Sequence, residues 1–221
     1  MSTTSARLTE VGAEHASELK KPDAAGRPAG PLIELSGVSK RYRRLVAVRD
    51  VNLAITAGEM VFVIGPSEAG KTTLLKLMHG DIRPNRGTVN VAGHALHQRW
   101  RRRLPELRRR VAAVFQEHRL LTDMSVRGNV AFALRVADLG MPGAEARARA
   151  QARLDEVGLG ARATAHPAQL SGGQQRRLAI ARALGHAPAL LLADEPTANL
   201  DRRNAERVLE LLERRCRAGT T

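Results

Sequence analysis

Gly65-Pro66-Ser67-Glu68-Ala69-Gly70-Lys71-Thr72 is the stretch that decides the fold of this 221-residue chain. It matches G-x-x-x-x-G-K-[ST], and the residues around it supply the context that such a string needs. Glu59-Met60-Val61-Phe62-Val63-Ile64, just before it, reads as a strand that becomes fully buried. Leu74, Leu75, Leu77 and Met78, just after it, form a helical apolar stripe. A glycine-rich turn between strand and helix lets backbone N–H groups wrap phosphate oxygens, and the helix start favours negative charge. Lys71 is then placed to neutralise phosphate, and the Thr72 hydroxyl to bind magnesium. The competing reading, an ordinary glycine turn, does not account for the strand and helix on either side.

Working outward, Leu32-Ile33-Glu34-Leu35 and Val46 to Ile55 alternate apolar and polar residues, as half-buried antiparallel strands do. Gly87 to Val91 and Val111 to Phe115 are further short strands, and Ala189 to Ala193 is an apolar run suited to a buried parallel strand. Val126 to Val136, Ala144 to Val157, Gln174 to Leu184 and Asn204 to Cys216 carry helical spacing. Strands alternating with helices argue for an α/β fold with a mostly parallel sheet. Residues 1 to 31 mix Ser, Thr, Ala, Glu, Lys, Gly and Pro without periodicity and read as a disordered tail ahead of one domain over 32 to 221.

A hydrophobic content of 43% suits one globular core. No run approaches the roughly 20 apolar residues needed to span a bilayer, and residues 1 to 30 hold no apolar signal segment, so the expected location is the cytoplasm. The single cysteine, Cys216, has no partner for an intramolecular disulfide and reads as a core-facing helix residue. A formal charge of +14 raises the question of nucleic acid. Aromatics make up only 2% of the chain, which argues against a base-stacking platform. The densest basic cluster, Arg99, Arg101, Arg102, Arg103, Arg108, Arg109 and Arg110, fits either a solvated face or a contact with a partner or anionic headgroups.

Leu170-Ser171-Gly172-Gly173-Gln174-Gln175 sets a serine and two glycines before a helix, a second start able to receive an anion, or a simple N-cap. Leu190 to Ala193 deliver Asp194 and Glu195 to the end of a buried strand, where ligands of open α/β sheets bind. Adjacent carboxylates repel unless a cation or proton intervenes. Asp194 as a magnesium partner and Glu195 as base for an attacking water satisfy that condition; as an isolated pair they would be a surface turn.

Together these motifs resemble the ABC ATPase family over nearly all of residues 32 to 221. The resemblance implies a P-loop NTPase, a RecA-like α/β core with an antiparallel β subdomain and an α-helical subdomain around residues 120 to 170. It implies ATP and Mg2+ as cofactors, and ATP hydrolysis to ADP and phosphate. Gly65, Pro66, Ser67, Glu68, Ala69, Gly70, Lys71, Thr72 and Thr73 correspond to Walker A. Tyr42 is placed like the aromatic that stacks on adenine, although packing at a strand end would also explain it. Gln116 resembles the Q-loop glutamine that holds metal and water. Ser171, Gly172, Gly173 and Gln174 correspond to the signature, Asp194 and Glu195 to Walker B and its catalytic glutamate, and Asn199-Leu200-Asp201 to the D-loop. The implied assembly is a homodimer closed head to tail, each nucleotide gripped by Walker A of one protomer and the signature of the other.

Val114 to Leu121, Ser125 to Val130 and Ala193 to Asp201 look like the cell-division, FtsE-type branch of the family. That branch implies a polytopic, FtsX-like membrane partner, regulation of septal cell-wall hydrolysis, and a peripheral place on the cytoplasmic side of the bacterial inner membrane. Lipoprotein-release and macrolide-export ATPases share the same motifs. DNA-repair members carry long coiled-coil insertions, and Gln116 and Ser171 are too close for one, so no nucleic acid is expected.

Two departures keep a non-catalytic module in view. Glu68 stands where family loops have glycine, which predicts strain if positive φ is required and repulsion of polyphosphate. The chain also ends at Gly219-Thr220-Thr221, where the resemblance places a strand leading to a phosphate-sensing histidine. The expectation is a truncated domain with two interior strand edges left unpaired.

Overall fold

The computed structural model describes residues 30–96, 100–198 and 200–221, without the side chains of residues 100–103. The proposed tail up to residue 29, Arg99 and Asn199 lie outside the described residues. The chain divides into two compact units, one running to Leu107 and including Thr221, the other from Arg108 to Thr220.

In the first unit, β1 (Ile33–Tyr42) and β2 (Leu45–Ile55) pair antiparallel, with Leu35 opposite Leu53 and Val38 opposite Val51. β3 (Arg86–Val91) adds to the other side of β1, and the short β4 (His94–Ala95) to β3, giving the order β2-β1-β3-β4. The period of two puts Ile33, Leu35, Val89 and Val91 on one buried face. α1 (Lys71–His79) contributes Leu74, Leu77 and Met78 to this core. The antiparallel β portion thus follows the alternation of apolar and polar residues along the first two strands.

The strand expected over 59–64 is not formed, and no described segment pairs with it. Phe62 and Ile64, expected in the core, are 44% and 73% exposed. An apolar run becomes a strand only where a neighbour accepts its backbone hydrogen bonds, and periodicity carries no information about that neighbour.

α2 (Trp100–Arg110) was hidden in the arginine cluster. Leu104 and Leu107 supply its inward contacts: a Cβ added at Gly80, which caps α1 at φ 78, would lie 2.8 Å from Leu104 Cδ2 and 3.4 Å from Leu107 Cδ2. Leu107 is wholly buried, whereas Arg108, Arg109 and Arg110 are exposed.

The second unit is built on a parallel pair, β5 (Val111–Val114) with β6 (Leu190–Ala193), Val111 opposite Leu190 and Val114 opposite Ala193. Accompanying the pair are α3 (Val126–Ala137), α4 (Gly143–Glu156), α5 (Gly172–Leu184) and α6 (Arg202–Arg217). Each presents an apolar stripe at helical spacing to one core. The stripes include Val126, Val130 and Leu134; Ala146, Ala150 and Leu154; Val208 and Leu211. Emptying one such leucine to alanine costs about 2–5 kcal/mol. Cys216, on α6, is half-buried rather than in the core.

Asn129, fully buried, explains part of the stretch Ser125 to Val130. Its side chain accepts from Leu121 N at 2.8 Å and donates to the carbonyls of Leu121, Met124 and Ser125, closing the loop before α3.

Candidate functional site

The phosphate loop and Tyr42 belong to the first unit. Gly70, at φ 88, opens α1, and Leu74 N donates to Gly70 O at 2.9 Å. A side chain there would meet the Ala47 carbonyl oxygen of β2 at 2.1 Å, so glycine is required twice over, for conformation and for space. The Lys71 ammonium folds back along the loop and donates to Gly65 O at 2.8 Å and Pro66 O at 2.7 Å. Residues 65 to 69 are exposed, so the loop faces solvent with a cation at its centre. Thr72 and Thr73 lie in the first turn of α1, whose leading N–H groups have no intrahelical acceptors. Glu68 occupies the left-handed region at φ 64 and is exposed, so the strain expected of it is present while its carboxylate faces solvent. Tyr42 closes β1 and is 41% exposed, with the Lys40 ammonium 5.3 Å from its ring centre.

Gln116, Ser171 to Gln174, Asp194 and Glu195 lie in the second unit. Ser171 caps α5: its hydroxyl accepts from Gln174 N at 3.3 Å, and the Gln174 side chain accepts from Ser171 N at 2.9 Å. The N-cap reading of this motif therefore holds, and it is compatible with anion binding. Gly172 and Gly173 keep the first turn bare, and a Cβ at Gly172 would meet nothing within 4 Å. A cleft of about 430 Å³ opens there, bounded by Ser171 to Gln174, Arg177 and Asp201. Asp201 caps α6, and its carboxyl is held below the usual carboxylate range first by the Asn204 backbone N–H and then by the Asn204 side chain. Two helix starts and one guanidinium thus border the same cleft. Burial, followed by repulsion from Arg207, lowers the Arg177 pKa.

β6 ends by handing over two carboxylates of opposite exposure. Asp194 is buried at 6% exposure, its N–H donating to Val114 O at 2.8 Å, whereas Glu195 is exposed and takes φ 51. Sequence reading missed the groups that brace this region. Arg182 donates to the carbonyls of Arg119, at 2.6 Å, and His118, at 2.9 Å, and its pKa is lowered by burial. The His118 ring nitrogens lie 3.0 Å from Gln116 O and 3.3 Å from Gly172 O. Buried Arg176 donates to Glu195 O. Each of the three has at least one partner remote in sequence, and only their position on or beside α5 could have signalled them.

The ABC transporter family profile matches residues 48–198. This chain belongs to the ABC transporter family. Membership makes it an ATP-binding ATPase subunit of an ABC-type complex. Within the family it is 45% identical over 191 residues to the cell division ATP-binding protein FtsE of Escherichia coli (strain K12), covering 86% of this chain and 85% of that protein. It is 42% identical over 192 residues to the protein of the same name in Mycobacterium tuberculosis (strain ATCC 25618 / H37Rv), covering 86% and 83%. Among solved structures, the ATP-binding cassette MJ0796, in a dimeric post-hydrolysis state bound to ADP and Pi, matches with a TM-score of 0.82 and 35% identity, over 86% of this chain and 85% of that one. The P-loop ABC fold expected from the motifs is thereby borne out.

Proposed function

We propose that the chain hydrolyses ATP as the peripheral engine of a bacterial cell-division complex, with Glu195 as the general base. The observation that carries this is the pairing of roles at the end of β6: a buried Asp194 beside an exposed Glu195 whose carboxylate is turned toward solvent. Lys71 neutralises phosphate charge, the loop amides of residues 65 to 73 bind the phosphates, Tyr42 stacks on adenine, and Gln116 orients the attacking water, which gives its proton to Glu195.

Thr72, Gln116 and Asp194, the oxygen donors that the family motifs assign, include a single carboxylate, and among the described residues no group of three His, Cys, Asp or Glu side chains could hold a metal ion. That donor set fits Mg2+, which is bound by one or two carboxylates together with substrate phosphates and water. When bound, the ion screens the charge of the phosphate oxygens.

The start of α5 at Ser171, Gly172 and Gly173 receives the nucleotide of a second copy, in a head-to-tail homodimer. The dimeric state of the MJ0796 cassette bound to ADP and Pi supports this. The partner is a polytopic, FtsX-like membrane protein, and the complex regulates septal wall hydrolysis from the cytoplasmic side of the inner membrane. The FtsE relatives support that assignment, and among the described residues no helix is long and apolar enough to cross a membrane. Phe132 and Val136, about one turn apart on α3, and Leu139, in the turn that follows it, are 46%, 50% and 75% exposed and are the apolar surface assigned to that partner. The compact α3 and α4, of 12 and 14 residues, offer no coiled-coil arm for DNA work.

The test is Glu195→Gln with Mg-ATP. Turnover should fall roughly 100-fold or more while nucleotide binding persists and an ATP-bound dimer accumulates in size-exclusion chromatography. Parent-like turnover would remove Glu195 from its role.

A further inference from the structure

We infer that Arg176 is a positioning residue for Glu195, tying the start of α5 to the hydrolytic carboxylate of the same protomer; this rests on the assignment of Glu195 as base. Arg176 is 2% exposed, on the same face of α5 as Ile180 and Ala183, where every other buried residue of that helix is apolar. Packing alone would be served by leucine or methionine, and burying a guanidinium is costly unless its donors are used. Its Nη1 donates to the Glu195 backbone carbonyl.

That carbonyl belongs to a residue in an unfavourable conformation. Glu195 sits at φ 51, which a residue with a side chain adopts only where the surroundings over-determine it. The surroundings do so from two sides. Asp194 N is held by Val114 O at 2.8 Å, and Glu195 O accepts from both Ala198 N, at 3.0 Å, and Arg176. The peptide is anchored in the core while the carboxylate remains exposed. Fixing the backbone this way sets the direction from which the carboxylate meets water.

Arg176 lies five residues after Ser171 on one uninterrupted helix. A phosphate received by the capped start of α5 and the base at Glu195 therefore act on one rigid piece.

The experiment compares the full chain with Arg176→Met, which matches length and removes the donors, and Arg176→Lys, which restores one, each alone and combined with Glu195→Gln. The expected result for Arg176→Met is a kcat lower by roughly 10- to 100-fold, with KM for ATP and the affinity for a fluorescent ATP analogue within about twofold of the parent. Arg176→Lys should recover part of the kcat. In the Glu195→Gln background, Arg176→Met should add no further loss, because its effect passes through the carboxylate. Parent-like kcat in folded Arg176→Met, or a full additional loss in the double variant, overturns the inference. If Arg176→Met does not melt cooperatively, Arg176→Gln, whose amide is too short to span to that carbonyl, takes its place under the same criteria. If Glu195→Gln alone hydrolyses ATP at the parent rate, the base assignment falls and takes this one with it. If Glu195→Gln is inactive and Arg176→Met is not impaired, the positioning role alone falls.

Discussion

Replacing Glu68 separates two physical effects within one loop. Glu68 holds φ 64 and is exposed, so its conformational cost and its charge act on different observables. A left-handed residue with a Cβ costs about 1–2 kcal/mol, and introducing glycine gives back about 0.4–1 kcal/mol through unfolded-chain entropy. Glu68→Gly should therefore stabilise the chain by about 0.5–1 kcal/mol, raising Tm by about 1–4 °C at this length. Glu68→Gln keeps the Cβ and removes only the charge. A carboxylate about 8 Å from a metal-nucleotide of net charge about −2 is repelled by about 1 kcal/mol in water, which screening at physiological ionic strength cuts to about 0.4 kcal/mol. ATP affinity measured by fluorescence titration should thus tighten about fivefold at low salt and about twofold at physiological salt in Glu68→Gln. Glu68→Gly should tighten binding by at least as much and also melt higher. Unchanged affinity of Glu68→Gln at low salt refutes the charge argument, and a lower Tm for Glu68→Gly refutes the strain argument.

Gly70→Ala drives a Cβ into the Ala47 carbonyl at 2.1 Å with φ 88. It should lower unfolding free energy by about 2–5 kcal/mol in chemical denaturation and abolish nucleotide binding, and parent-like values in both would show that the loop relaxes freely. His186 has both ring nitrogens buried without partners among the described residues, and burial lowers its pKa. Because the unfolded chain binds that proton more readily, stability should be level above the ordinary histidine pKa and fall as pH drops below it, by at most about 1.4 kcal/mol per pH unit. Denaturation of the parent against His186→Gln should show a difference that changes between about pH 5 and 6.5 and is constant between about pH 7 and 8; a pH-independent difference would contradict this. Phe132→Glu with Val136→Glu should leave ATPase activity of the isolated chain intact while co-purification with the membrane partner is lost, and retained co-purification would move the docking surface elsewhere.

Residue order alone was enough for whatever depends on neighbours in sequence. The loop at 65–72, the helix it opens, the capping box at Ser171 and Gln174, and the β1–β2 alternation are local patterns, set by caps, turn glycines and side-chain period. The stretch 59–64 shows the limit: its apolar run is real, but a strand also needs an adjoining backbone, and Phe62 and Ile64 face solvent. α2 was obscured because its inward contacts rest on two leucines among arginines. Glu195 could be named from its place after an apolar run, but its φ of 51 and its bond from Arg176, nineteen residues earlier, are decided only in the fold. Burial assigns the roles there: a guanidinium removed from water must spend its donors on whichever carbonyl the tertiary packing brings beside it, and no local pattern names that carbonyl.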